Sequence, residues 1–287
     1  MKKLNAHLSI STDGFTLVEL AIVLFIVALL LGGMMNTLGS QVEQQKIKET
    51  QRILDEAKEV LIGFATAHGR LPCPDTDIDG AENVSAPVIT NNSPVAGQST
   101  QVFSACLSAE GDFPFSTAGT SRLDGWGHRL RYRVTPAFGQ SSIIWSGLNA
   151  TGSTVSVAPG FILTTTGNIN IQTRGDNPAT PSPSIETKFA SNLAANVPAI
   201  VISHGKNGYG ARDMDGISLP GAPSTNLDEI MNTNPASATK ISRIITQQYA
   251  SCSDTAEGLP SCEFDDLVTW LSPNILFNRM IAAGRLP

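Results

Sequence analysis

The stretch DTDIDG, Asp75 to Gly80, sets carboxylates at alternate positions and a glycine at the sixth. That is the first half of an EF-hand calcium loop. The twelfth position of such a loop is Ala86 here, not the bidentate glutamate. Asp75, Asp77 and Asp79, joined by Glu82, could still lend oxygens to a looser calcium loop steadied by Cys73 next door. The competing reading is a solvated acidic turn after a disulfide, and the missing glutamate favours it. Asp213 and Asp215, in DMDG, form a shorter pair of the same kind. Calcium is therefore the one cofactor the acidic residues raise. Catalytic groups do not assemble. His68, His128 and His204 are scattered, and H-E-x-x-H, G-x-S-x-G and P-loop patterns are all missing. Ser203-His204, set among glycines, reads as a turn, and nothing argues for an enzyme.

A further ionisable group stands out by its surroundings. Residues 15–31 read FTLVELAIVLFIVALLL, and 32–35 prolong the apolar run, yet Glu19 lies inside it. As a helix this run rises about 30 Å, the thickness of a bilayer core, where a carboxylate costs about 2.5–3.5 kcal/mol. Lys2 and Lys3 favour a cytoplasmic N-terminus. The expectation is a single-pass membrane protein whose body lies outside, and the resemblance described next implies the inner membrane and the periplasm. An ordinary signal peptide fits poorly. Gly14, the small residue that could mark cleavage, precedes the apolar run, and no A-x-A-like site follows it before Gln41.

GFTLVELAIVL at 14–24 resembles the processing and methylation motif of type IV pilins and type II secretion pseudopilins. The resemblance implies cleavage between Gly14 and Phe15 by prepilin peptidase, N-methylation of Phe15, and an assembly role for Glu19. A new ammonium on Phe15 and the Glu19 carboxylate of a neighbouring subunit would pair, setting the axial register of a filament. Residues 1–14 are then a leader, 15–35 a transmembrane and polymerisation helix, 36–68 its amphipathic continuation, and 69–287 a periplasmic globular domain. The implied fold is α+β and pilin-like, a long N-terminal helix packed on an antiparallel sheet and stapled by disulfides. The implied partners are other pilin or pseudopilin subunits, prepilin peptidase and the inner membrane. The implied function is structural, as a minor pilin or pseudopilin. A tip-proximal adhesin or DNA-uptake subunit is the alternative. The bulk of a 287-residue chain suits a minor role. Retention of Glu19 argues against the extreme tip, whose family member typically lacks that residue. Two looser likenesses accompany the motif. LDGWGHRLRYRV at 123–134 resembles the Asp-x-Trp-Gly turn of pseudopilins, and ISHGKNG at 202–208, followed by Asp213 and Asp215, resembles the calcium loop of the major one.

The remaining elements must carry these groups. Apolar residues at Ile47, Ile53, Leu54, Ala57, Val60, Leu61 and Phe64 predict that the helix continues to His68, where Gly69 and Pro72 stop it. HRLRYRV at 128–134 alternates, predicting a strand with Leu130, Tyr132 and Val134 inward and the three arginines on a solvated face. Further strands are expected at 142–146, 153–158, 160–166 and 197–203, and a short helix at 184–195. Stretches 81–101 and 174–184 read as loops. Asp265-Asp266 and Ser272-Pro273 both read as helix starts. Trp126, Trp145 and Trp270 read as core. Charged residues are 15% and hydrophobic residues 41%, with 25 Gly and 17 Pro, a loop-rich and strand-rich composition. The net charge of −6 disfavours a nucleic-acid surface, which needs a basic excess. Cys73, Cys106, Cys252 and Cys262 permit two disulfides. All three pairings stay open, with proximity favouring Cys73–Cys106 and Cys252–Cys262.

The motif makes a direct prediction. Intact-mass measurement of the chain from cells holding prepilin peptidase should show loss of residues 1–14 and an added methyl group on Phe15. A mature start beyond residue 31 would instead mark an ordinary secreted chain.

Overall fold

The computed structural model describes residues 16–86, 88–90, 101–146, 154–158, 160–173, 191–223, 226–243 and 264–286. The chain divides into two compact units, Met1–Lys46 and Ile47–Pro287. Helix α1, Leu17–His68, contributes to both. It ends where sequence places the stop. Gly69 takes φ 75°, open to glycine at no steric cost, and its N–H closes on the Ala65 carbonyl at 2.7 Å.

The first unit corrects one expectation. Among the described residues no helix is long and apolar enough to cross a membrane, which overturns the single-pass inner-membrane placement. The apolar side chains described at the start of α1 run from Leu17 to Leu29, about 20 Å of helix, against about 30 Å of hydrocarbon. Glu19 lies among them.

The second unit is α+β. Its elements follow in order: β1 Val88–Thr90, β2 Gln101–Ser104, β3 Glu110–Asp112, α2 Phe115–Ala118, β4 Arg131–Val134, α3 Pro136–Gly139, β5 Ser141–Ser146 and β6 Thr154–Ala158. Then come β7 Ile169–Thr173, β8 Ser191–Val197, β9 Ala199–Ser203, α4 Leu227–Thr233, β10 Thr239–Ile241, β11 Leu267–Trp270 and α5 Pro273–Ala282. Three sheets result, ordered β11-β9-β4-β3, β1-β2-β5-β6 and β10-β7-β8. All their pairings are antiparallel except β10 with β7.

The expected helix stripe is the core. Ile53, Leu54, Ala57, Leu61, Phe64 and Ala65 are buried, and Leu54, Ala57 and Leu61 cluster with Leu130, Tyr132, Val134, Ala199 and Val201 of β4 and β9 and the turn before them. The opposite face carries ion pairs such as Lys58–Asp55 at 3.1 Å. Cys73 and Cys106 form a disulfide that ties the segment leaving α1 to the segment leaving β2. Cys252 and Cys262 lie outside the described residues, as do Gly14, Phe15 and the 174–184 loop.

Several expectations fail for identifiable reasons. Residues 160–166 form a turn, not a strand. Gly160 sits so close to the Gln140 carbonyl that no Cβ would fit, and the Thr165 N–H bonds the Ile162 carbonyl at 2.9 Å. The expected helix at 184–195 is in its described part strand β8, paired with β7, so ladder hydrogen bonds override local propensity. Asp265 and Asp266 precede strand β11, not a helix, whereas Ser272-Pro273 does open α5.

The arginine face of 128–134 is not solvated. Arg129 and Arg133 are only 4% and 7% exposed. Glu110 of β3 receives Arg131 Nε at 2.5 Å, Arg133 Nη1 at 2.8 Å and Lys240 Nζ of β10 at 3.0 Å. Lys240 also donates to the Asn232 and Asn234 carbonyls at 3.0 and 2.9 Å, capping the end of α4. Alternation on the sequence marks which residues share a face, but only a second layer decides whether that face meets water. Burial opposes Glu110's charge, yet its three cations outweigh burial and hold the carboxyl below its usual range. Lys240, facing one carboxylate, is pushed down by burial to about 8. Glu110→Gln should therefore cost about 3–5 kcal/mol, because it strands buried cations. Asp55→Asn, at an exposed pair, should cost no more than about 0.5 kcal/mol. Urea unfolding of the two variants against wild type measures both.

Candidate functional site

Three sets of groups answer to the chemistry raised by the sequence. The first is the start of α1. Thr16 precedes the helix, its N–H and its hydroxyl both donate to Glu19 Oε2 at 2.9 Å, and its Oγ1 accepts the Glu19 N–H at 3.3 Å. This is a reciprocal capping box, Thr at N-cap and Glu at N3. The signal T-x-x-E stood at 16–19, and it gives Glu19 a local role beside any role in assembly. The same turn is densely apolar and exposed. Leu17, Leu24 and Phe25 are 86%, 60% and 66% exposed, and Val18, Leu20, Ile22, Val23, Ile26, Val27 and Leu29 are exposed too. At 100° per residue these positions cover every face of the helix.

The second set is the DTDIDG loop. Asp75 is buried, and its Oδ1 accepts the N–H groups of Asp77 and Ile78 at 3.1 and 2.7 Å while Oδ2 accepts that of Gly80 at 2.8 Å. Burial, the largest influence, raises its pKa against those three hydrogen bonds. Asp77 and Asp79 are exposed, and oxygens of all three lie within 4.8 Å of one another. Glu82 turns elsewhere. It takes both ends of the Arg70 guanidinium at 2.6 and 2.7 Å and the Cys73 N–H at 2.9 Å. Asp213 likewise organises its own turn, Oδ1 accepting the N–H groups of Asp215 and Ile217 at 2.9 Å each. Among the described residues no third carboxylate joins that pair.

The third set has no signature in the sequence. Glu229 from the first turn of α4 meets Asp265 and Asp266 from the approach to β11. Asn226 caps α4 by accepting the Glu229 N–H, which fixes where Glu229 stands. Asn207 Nδ2 donates to both Glu229 oxygens at 3.0 and 3.1 Å, and the Asn207 N–H donates to Asp265 Oδ2 at 2.7 Å. Asp266 faces His204 Nδ1 at 3.2 Å and accepts Asn232 Nδ2 at 2.7 Å. Asp265 Oδ1 is buried without a hydrogen-bond partner among the described residues. Burial first, then the charge on Asp266, raises Glu229 to about 8. Burial likewise lifts Asp265 to about 6. The three oxygens span at most 4.8 Å, the separation of two ligands each about 2.4 Å from one calcium ion. A divalent cation fits this chemistry. The residues sit far apart in the chain, so no spacing could have announced them.

The pair Ser203-His204 is not a nucleophile and base in this geometry. Ser203 Oγ donates to Asp124 Oδ2 at 2.6 Å, and His204 turns to Asp266. Asp124, in the D-x-W-G turn, also accepts the N–H groups of Trp126 and His128 at 2.9 Å, so it fastens that turn to β9.

Comparison of the chain with protein-family models, with curated proteins and with solved structures gives no match.

The carboxylate cluster predicts a pH dependence. A raised carboxyl pKa means the folded state holds a proton that the unfolded chain releases. That stability is full below Glu229's ordinary value of 4.5 and is lost as pH climbs through about 8. In calcium-free buffer the melting temperature should fall between about pH 5 and about pH 8, and Glu229→Gln should flatten the fall. Millimolar calcium should restore stability at the upper pH by mass action. Loss of that rise in Glu229→Gln assigns the ion to the α4 cluster, whereas loss in Asp77→Ala assigns it to the 75–79 loop.

Proposed function

We propose that the chain is a structural, pilin-like subunit, a minor pilin or pseudopilin, that assembles with other subunits through the first part of α1. One observation carries this reading: the apolar residues of Leu17–Leu29 are exposed on every face of a helix. Water does not tolerate such a surface, and helices of neighbouring subunits packing around it would remove it. The motif at 14–24 adds the chemistry. Cleavage by prepilin peptidase would create an ammonium at Phe15, and Glu19 is the carboxylate placed to meet it on a neighbour. The stripe of α1 packed on β4 and β9 and the disulfide fit the same plan. Calcium at one of the acidic clusters is an ion this subunit would carry for stability, not for catalysis.

The alternative, a subunit that grips DNA, gains no specific support. Arg131 and Arg133, with the buried Lys240, are spent on Glu110, and Arg129 faces Asp112 and the Ile78 carbonyl. Little of that charge is left for phosphate.

Two variants test the proposal in cells that make the filament. Leu24→Asp with Phe25→Asp should abolish incorporation while leaving the melting temperature of the second unit unchanged, since none of its core residues is touched. Glu19→Gln separates the two roles of Glu19. Glutamine at N3 preserves the capping box but removes the charge. Processed, soundly folded Glu19→Gln that fails to incorporate supports pairing with Phe15. Normal incorporation would leave Glu19 as a helix cap alone.

A further inference from the structure

Ile78 is a β-branched residue held at φ 70°, a left-handed conformation that glycine and asparagine adopt far more readily. Strain of this kind persists only where its surroundings over-determine it. Here they do. The Asp75 carboxylate accepts three N–H groups of the loop, and Arg129 Nη1 donates to the Ile78 carbonyl at 3.0 Å. The result is an isoleucine side chain held 37% exposed at the tip of a rigid turn.

A second tip meets the first. A Cβ on Gly216 would come within 2.9 Å of Ile78 Cδ1, so the turn around Gly216 packs directly on Ile78. Asp213 organises this turn, which exposes Met214 by 55% and Ile217 by 64%. From beneath, Arg122 donates to the Met214 carbonyl, and Arg122 and Arg129 lie over the Phe115 ring at 5.5 and 5.9 Å. Three apolar side chains are thus presented on two loops braced against each other. Asp77, Asp79 and Asp215 are exposed around them. Arg129 is buried against Asp112 at 3.5 Å, and Arg212, its side chain 37% exposed, is paired with the same carboxylate at 3.6 Å, so the three exposed aspartates leave the rim net negative.

We infer that the paired tips 75–80 and 213–217 form a docking surface for a different protein, one whose recognition face is an apolar pocket rimmed by lysine or arginine. Rigid apolar anchors supply affinity because little conformational freedom is lost on binding, and a charged rim steers encounter and excludes like-charged partners. Nucleic acid and anionic lipid share the sign of the rim and are repelled. A second copy, with its net charge of −6, is disfavoured for the same reason. The inference does not depend on the pilin-like reading, since these loops are far from the apolar start of α1 in sequence.

The test uses the full chain in its own cells, with a photoreactive phenylalanine analogue at position 217 in place of Ile217, and at position 162 as a control. Ile162 is 60% exposed on an unrelated turn. Irradiation should give one discrete adduct from position 217 and none from 162, joined to a different protein at a peptide where basic residues flank apolar ones. Ile78→Gly removes the anchor and relieves the backbone, so that variant should melt no lower than wild type yet lose most of the adduct. Asp77→Asn with Asp79→Asn should reduce the adduct several-fold. An adduct with another copy of the chain, an adduct indifferent to both variants, or no adduct above the control overturns the proposal.

Discussion

The carboxylate of Glu110 is the interaction on which the arrangement of the second unit turns. It takes a charged donor from each of Arg131, Arg133 and Lys240, all within 3.1 Å. Through them β3, β4, β10 and the end of α4 are fastened to one point. Each cation alone would be too costly to bury, and Glu110 alone would protonate. Together they are tolerated because every charge has a partner of opposite sign, and Lys240 adds backbone carbonyls as well. Such a hub contributes little net stability compared with an apolar core. Its effect is on specificity: few other arrangements of these strands would leave all four charges paired.

Placing α4 has a further consequence. Once Lys240 and Asn226 hold the two ends of that helix, Glu229 in its first turn is forced against Asp265 and Asp266. The like charges then raise Glu229 to about 8, with burial the larger cause. A cluster of this kind is stable only if protonated or if a cation replaces the protons. The hub and the cluster are therefore linked, one charge arrangement satisfied within the chain and one that calls for a proton or an ion.

Helix α1 serves two opposed demands. Beyond Ile47 it has one apolar stripe, which the sheet covers, and ion pairs on the other face. Between Leu17 and Leu29 its apolar residues are exposed on every face, and no described residue of its own unit covers them. The first pattern is how a helix belongs to a single globular body, and the second is how one is made to be shared. That contrast underlies the pilin-like proposal.

Periodicity in the sequence determined the elements whose partners are local or whose faces are uniform. The stripe from Ile53 to Phe64, the stop at Gly69, the inward set Leu130, Tyr132 and Val134, and the proline-led start of α5 all follow from spacing and backbone sterics. The T-x-x-E pattern at Thr16 and Glu19 is also one of neighbours, but the reading of Glu19 as an assembly carboxylate passed over it. Tertiary structure alone decided the rest. Alternation could not say that the arginines of β4 face Glu110 and not water, because that depends on a strand pairing and on Lys240 far along the chain. Nor could residues 191–197 reveal themselves as strand before β7 offered them a ladder. The Glu229 cluster and the contact of Ile78 with Gly216 belong to this class as well. Electrostatic and steric contacts act through space with no regard for sequence separation, so groups distant in the chain acquire their chemistry only when the fold brings them together.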